Sequence, residues 1–266
     1  PVADGYRGRF KGMDEKAGTA YANELSGILD NLDEPPAGFI TESLLSCGGQ
    51  VIPPKGYFKA AFEHVRNAGG LCIADEVQVG FGRVGTHFWA FELQGVVPDI
   101  VVLGKPMGNG HPMAAVITRR QIAEAFANGM EFFATFGGNP VSCAIGTAVL
   151  DVIEEEGLQE HAKLVGDELL SGLKALMDRH EIIGDVRGVG LFIGIELVKN
   201  KDTLEPAGHK AAETVNRLRN RGILLGTDGP YDNVIKIKPP MVISYDDAAM
   251  FVRILDDVLF MMEQSD

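Results

Sequence analysis

Three short apolar runs constrain this chain more than any other feature. They read GFITES (38–43), LCIADE (71–76) and DIVVLGK (99–105), each nearly all apolar until its C-terminal end turns polar. Strands of a parallel sheet, buried on both faces, carry that signature, and such sheets bind ligands at their carboxyl edge. Between the first two runs, PPKGYFKAAFEHVRNAGG brings Phe58, Phe62 and Val65 onto one helical face, and Gly69 and Gly70 stop the helix. Strand, helix and strand with short loops make a βαβ unit, normally right-handed. A fourth run, MAAVITRR (113–120), closes the layer.

After GGNP (137–140) the pattern changes. PVSCAIGTAVLDVIEEE is an amphipathic helix with an acidic end, and 158–180 forms another, with Leu164, Leu169, Leu173 and Leu176 expected on its buried face. Residues 183–198 read as two strands around Gly188 and Gly190, and 211–222 as a helix closed by glycine. NVIKIKPPM (233–241) alternates like a strand, and 244–263 is a final helix with Ser244 as N-cap. The expected fold class is α/β, with a larger, parallel-rich domain over 1–150 and a smaller α+β domain over 151–266.

Composition excludes several functions. A net charge of −13 and the lack of a basic stripe argue against nucleic-acid binding. No apolar run approaches the roughly 20 residues of a membrane span, and the N-terminus lacks the apolar centre of a signal peptide. Cys47, Cys72 and Cys143 form no CxxC pair, so they read as reduced thiols of a cytoplasmic protein, expected in the core. The six histidines lack zinc-ligand spacing.

Chemistry concentrates in GGLCIADEVQVGFGR (69–83). A nucleotidase would need a phosphate loop with it, but the Gly104-Lys105 pair is followed by Pro106, which lacks an amide donor. A dinucleotide fingerprint fails too, because GFGRVG (80–85) does not open a helix after the first strand. Asp75 and Lys105 share the sheet's carboxyl edge. One reading makes Lys105 a partly desolvated, nucleophilic amine for a cofactor aldehyde, with Asp75 keeping a pyridine nitrogen protonated. The other makes the two a structural ion pair.

IADEVQVGFGRVG, then PDIVVLGKPMGNGHPMAAV, then FFATFGGNPVSCA resemble, in order and spacing, the class III aminotransferases, which are fold type I pyridoxal-phosphate enzymes. The resemblance implies pyridoxal 5'-phosphate as cofactor, with Lys105 as the lysine that binds its aldehyde and Asp75 as the partner of its pyridine nitrogen. It further implies that Val77 packs on the ring, that Gln78 bonds near the phenolic oxygen, and that Thr135 donates to the cofactor phosphate of a neighbouring subunit. A homodimer with shared active sites and a small amine substrate follow from it. Residues 1–150 would be the C-terminal part of the cofactor-binding domain. Arg187 in VRGVGL matches a family motif and is read as structural, as is Glu76, while Arg83, His87 and His111 are candidates for facing solvent or substrate.

Two departures from the family pattern bear on substrate. Glu42 is followed by Ser43 where Glu-Pro is common, and Lys236 stands where an arginine tends to grip a substrate carboxylate. Glu42 and Lys236 are therefore the candidate substrate-binding residues. Lysine does not reproduce the arginine fork. Both departures resemble the phospho-lyases of O-phosphoethanolamine and phosphohydroxylysine, which eliminate phosphate and ammonia. A class III transaminase is the alternative. The family's glycine- and serine-rich phosphate loop has no counterpart, and the chain opens without Met on a loop-like stretch, so the expectation is the C-terminal part of a longer enzyme. A cofactor-free fragment acting only in association is the third reading.

Overall fold

A computed structural model of the chain describes residues 2–264. Helix α1 (Glu15–Leu29) starts at Asp14, whose side chain accepts from the Ala17 amide. Strand β1 (Gly38–Glu42), helix α2 (Tyr57–Asn67) and strand β2 (Leu71–Asp75) form the expected βαβ unit, with Phe58, Phe62 and Val65 of α2 buried. Burying each of these three side chains stabilises the layer by about 1.5–3 kcal/mol. A short 3₁₀ turn (Ala90–Gln94) leads to β3 (Ile100–Leu103), a second 3₁₀ turn (Lys105–Gly108) follows, and then β4 (Ala115–Thr118). The sheet order is β1-β2-β3-β4; the first three strands are parallel and β4 runs antiparallel to β3.

Helices α3 (Arg120–Phe126), α4 (Pro140–Glu155) and α5 (Leu158–Met177) connect to the second sheet. It comprises β5 (Ile183–Val189), β6 (Phe192–Asn200), the short β7 (Glu205–Pro206), and, beyond helix α6 (Gly208–Arg219), β8 (Gly226–Asp228) and β9 (Val234–Ile237). The order is β5-β6-β9-β8, antiparallel throughout, with β7 on β6. Helix α7 (Tyr245–Glu263) closes the chain, and Ser244 caps it by accepting from the Asp247 amide. Ile193, Ile195, Leu197 and Ile235 of this sheet pack with α5, α6 and α7 into one core.

The two sheets meet where the 80–85 loop touches the β5–β6 turn. Gly190 there has φ +55, and a Cβ would fall 2.5 Å from the Arg83 carbonyl oxygen, so no other residue fits. Two sequence expectations are corrected. The buried face of α5 is Ala162, Val165, Leu169, Leu173 and Leu176, whereas Leu164, one position off that stripe, is exposed. Of the three thiols only Cys72 is buried; Cys47 and Cys143 are exposed.

Candidate active site

Parallel register brings the polar strand ends to one level. Glu42 pairs with Asp75, and Asp75 with Val102. The Glu76 amide still donates to the Val102 carbonyl at 3.0 Å, so β2 and β3 stay joined to their last residue. Asp75 is half-buried, and its Oδ1 accepts from the Val77 amide at 2.9 Å in a turn. Its Oδ2 has no hydrogen-bond partner among the described residues.

That turn aims Val77 back at the next strand end. A Cβ on Gly104 would lie 3.4 Å from Val77 Cγ1, so the valine methyls cover the glycine immediately before Lys105. Lys105 itself has φ +25, a left-handed backbone unusual for a side chain of its size. Such residues cost about 1–3 kcal/mol and persist where surrounding structure imposes them. The sequence led us to expect a partly desolvated lysine; within the chain the Lys105 side chain is exposed instead. Gly104 and Pro106 flank it without covering it.

Glu76, the neighbour of Asp75, is fully buried. Its oxygens accept from the Ala90 and Phe91 amides at 2.9 Å and from the Ser43 hydroxyl. Burial pushes its carboxyl above the usual carboxylate range, opposed by these three donors. Glu76 thus holds the start of the 3₁₀ turn and the end of β1 together, and has no oxygen to spare for a ligand.

The second sheet reaches this edge through β9 and the residue after it. Lys236 and Lys238, two apart, lie on the same side of the strand line. Lys236 Nζ pairs with Asp228 Oδ1 at 3.0 Å, and Gln50 Nε2 donates to Asp228 Oδ2 at 2.9 Å. Gln50 also donates to the Ser46 carbonyl, while the Ser46 amide and hydroxyl occupy both oxygens of Glu42. The two residues expected to hold substrate, Glu42 and Lys236, are therefore ends of one internal network. Lys238 Nζ instead donates to Gln78 Oε1 at 3.1 Å, across the gap between the sheets. Burial, then the charge of Lys236, lowers its ammonium to about 8.

Lys238 is the group that sequence reasoning passed over, because the family pattern draws the eye to position 236. Strand alternation alone could have flagged it, since positions 236 and 238 share a face. Arg83 is half-buried, and its Nη1 donates to the Leu191 and Pro239 carbonyls. Arg187 pairs with Asp185 and Glu196 and donates to the Gly49 carbonyl, tying the 43–50 loop to β5 and β6. His111 bonds the Ser142 hydroxyl at 2.8 Å, and His87 the Thr86 hydroxyl at 2.9 Å. Thr135 is exposed on the turn before α4, and no hydrogen bond joins it to Asp75, Gln78 or Lys105.

A free carboxylate oxygen, an apolar wall and a lysine at the carboxyl edge of a mostly parallel four-stranded sheet, with a five-stranded antiparallel sheet alongside, define a fold type I pyridoxal-phosphate transferase-like protein. Within that class, the profile described as Aminotransferase class-III matches residues 3–259, and the chain belongs to this family, whose cofactor is pyridoxal 5'-phosphate. It is 52% identical over 260 residues to the alanine–glyoxylate aminotransferase 2-like protein of Drosophila melanogaster, covering 95% of this chain and 53% of that one. It is 46% identical over 279 residues to ethanolamine-phosphate phospho-lyase homolog 1 of Caenorhabditis elegans, covering 99% and 60%. Among solved structures, a phospholyase from Arthrobacter in complex with phosphoethanolamine superposes with a TM-score of 0.86 at 36% identity, over 92% of this chain and 58% of that one. An omega transaminase from Pseudomonas jessenii superposes with 0.89 at 31%, over 97% and 59%. The chain spans between 53% and 60% of the length of the first two relatives.

The donor set fits the cofactor. Its ring nitrogen needs an acidic oxygen, its aldehyde an amine and its ring an apolar face. Asp75 Oδ2, Lys105 and Val77 offer these three within one strand-end cluster.

Proposed function

We propose that the protein carrying this chain is a pyridoxal-phosphate phospho-lyase acting on a small amino-phosphate ester such as O-phosphoethanolamine. In this reading Asp75 Oδ2 keeps the ring nitrogen protonated, Val77 packs on the ring, Gln78 bonds near the phenolic oxygen, and Lys105 is the amine that binds the aldehyde. When bound, the cofactor supplies an electron sink for the pair released from a broken carbon–hydrogen bond. Lys105 Nζ takes the proton from the carbon bearing the substrate nitrogen. The carbon–oxygen bond on the neighbouring carbon then breaks: the pair from the carbon–hydrogen bond forms a carbon–carbon double bond, and phosphate leaves with the pair of the carbon–oxygen bond. The balance is one amino-phosphate ester and one water giving an aldehyde, ammonia and inorganic phosphate. Lys105 is exposed at the strand end, so its amine is open to a cofactor aldehyde and to a substrate nitrogen.

The observation carrying the lyase reading is the lysine pair of VIKIKPPM at the place of a carboxylate-gripping arginine. Phosphoethanolamine has no carboxylate, so the loss of a bidentate fork costs nothing for it. The relative and the solved structure named for this chemistry support the choice. Transaminases of similar likeness sustain a second reading, amino transfer to a keto acid. Incubating the holoenzyme with phosphoethanolamine separates the two: stoichiometric phosphate and ammonia support the lyase, while a new amino acid from an added keto acid, without phosphate, overturns it.

We assign the same reading a homodimer with shared sites. Phe126, Phe132, Phe133, Phe136 and Val141, with Met130, are each at least 64% exposed around Thr135. An apolar surface of this kind marks a protein interface. A second copy seated there would bring Thr135 to its neighbour's cofactor phosphate. Among the described residues no helix is long and apolar enough to cross a membrane. The three free thiols suit a reducing compartment such as the cytoplasm.

A further inference from the structure

Lys238 and Arg83 are two half-buried cations that neighbour each other through Pro239, whose carbonyl takes an Arg83 donor at 2.9 Å. Neither forms an ion pair among the described residues. In direct contact, Lys238 meets the neutral Gln78 amide oxygen and the face of the Phe192 ring, 5.5 Å from its Nζ, while the carboxylate of Asp228 acts on it at longer range and is already paired with Lys236. Arg83 meets only backbone carbonyls. In a chain of net charge −13, carboxylates are plentiful, and Lys236 two residues away has one. Taking a cation out of water without a counter-charge is costly, and residues so placed normally pair or bind an anion. The spot lies on the rim of a cavity of about 550 Å³, lined by Gln78, Leu225, Gly226, Lys236, Lys238 and Pro239 among others.

We propose that Lys238, with the charge of Arg83 behind it, is the group that receives the phosphate of an amino-phosphate ester substrate. This rests on the phospho-lyase reading and adds the residue that would select the substrate. Lys236 is not that residue, because Asp228 already neutralises it. Gln78 links the site to the cofactor edge, so a phosphate on Lys238 Nζ would place the leaving group within reach of the strand ends that carry Asp75 and Lys105. An ammonium suits such a role, being a compact charge that can hold a dianion and release it as the product.

The groups facing Lys238 set its response to pH. From β9 and β8 come Lys236 and Asp228, from the 43–50 loop Cys47, from the loop after β2 Gln78 and Arg83, and from β6 the Phe192 ring. With its ammonium lowered to about 8, Lys238 should lose its grip on phosphate as pH rises through 8. Phosphate esters become dianions above about pH 6, which places the binding window between these limits.

The proposal is tested by titrating lysine side-chain resonances of the full chain with inorganic phosphate, alongside calorimetry. Phosphate is expected to raise the midpoint of Lys238 by about one unit or more, as an opposite charge within a few ångströms does. Lys238→Met should weaken phosphate binding at least tenfold, whereas Lys238→Arg should keep it and abolish its loss near pH 8. Lys236→Met should leave the Lys238 response in place. An unmoved Lys238 resonance, or phosphate binding unchanged in Lys238→Met, overturns the proposal. The titration is repeated with pyridoxal phosphate bound: if the cofactor alone shifts Lys238 and blocks inorganic phosphate, the site belongs to the cofactor and the proposal falls. Phosphate bound at Lys238 without phosphate release from phosphoethanolamine would sink the lyase reading alone. Release that is indifferent to Lys238→Met would sink this proposal alone.

Discussion

Glu42 and Asp75 stand side by side in parallel register at the ends of β1 and β2, yet only Asp75 keeps a carboxylate oxygen free. Ser46 takes both oxygens of Glu42 through its amide and its hydroxyl. Asp75→Asn preserves an acceptor for the Val77 amide but removes the charge a ring nitrogen needs. It should leave the melting temperature nearly unchanged and lower kcat about 100-fold or more, the scale of a lost proton-handling group. Glu42→Gln should cost activity far less. Equal losses in steady-state assays would contradict this division of labour.

Glu76 is a stability residue. Glu76→Ala strips three donors, the Ser43 hydroxyl and the Ala90 and Phe91 amides, of their acceptor. Each unsatisfied buried donor costs about 1–3 kcal/mol, so a chemical-denaturation midpoint should fall sharply. Because burial raises its folded pKa above the unfolded one, its contribution is present at low pH. It is lost as pH rises through the raised folded value. Glu76→Gln should flatten that part of the stability–pH curve, and an unchanged slope would be contrary evidence.

Arg187 lies between Asp185 and the buried Glu196, which also pairs with Arg7. Arg187→Met leaves Glu196 with one cation and the Gly49 carbonyl without its donor. Breaking a buried pair in this way costs about 3–5 kcal/mol. Thermal unfolding should register it, with Arg187→Lys intermediate because one point charge replaces a fork.

Shared sites can be checked by mixing. Lys105→Met and Thr135→Ala homodimers should each be impaired. A mixed dimer has one site with Lys105 from one subunit and Thr135 from the other, so subunit exchange should restore activity. Phe133→Glu should shift the sedimentation coefficient towards the monomer. Exchange without recovery would mean that Thr135 serves its own subunit.

The strands were legible as short apolar runs, and helices α2, α5 and α7 because wide apolar stripes repeat at helical spacing. The expected burial on both faces is corrected for the first sheet, where Ile40 of β1 and Val116 and Ile117 of β4 are exposed. Helix α1 was not. Its buried face is Ala17, Gly18, Tyr21 and Ala22, mostly small residues that carry little hydrophobic signal. Small size is nonetheless required, since a Cβ on Gly18 would lie 2.0 Å from the Lys55 carbonyl oxygen. The local cluster of Asp75, Val77 and Lys105 follows from strand ends that sequence marks clearly. The partners of Lys236 and Lys238 do not, because Asp228 and Gln78 reach them through sheet pairing and a gap 160 residues wide in sequence. Exposure of Lys105 is equally non-local: nothing in the apolar run before it says which surfaces stop short of the side chain.

Every role proposed for this site depends on Lys105 being the amine that binds pyridoxal phosphate beside Asp75. Borohydride reduction of the cofactor-loaded protein, followed by peptide mass mapping, tests it most directly. The expected result is the reduced cofactor fixed to the peptide holding Lys105 and to no other lysine, with Lys105→Met unlabelled and colourless. Label on Lys236, Lys238 or another lysine, or none on Lys105, would contradict it.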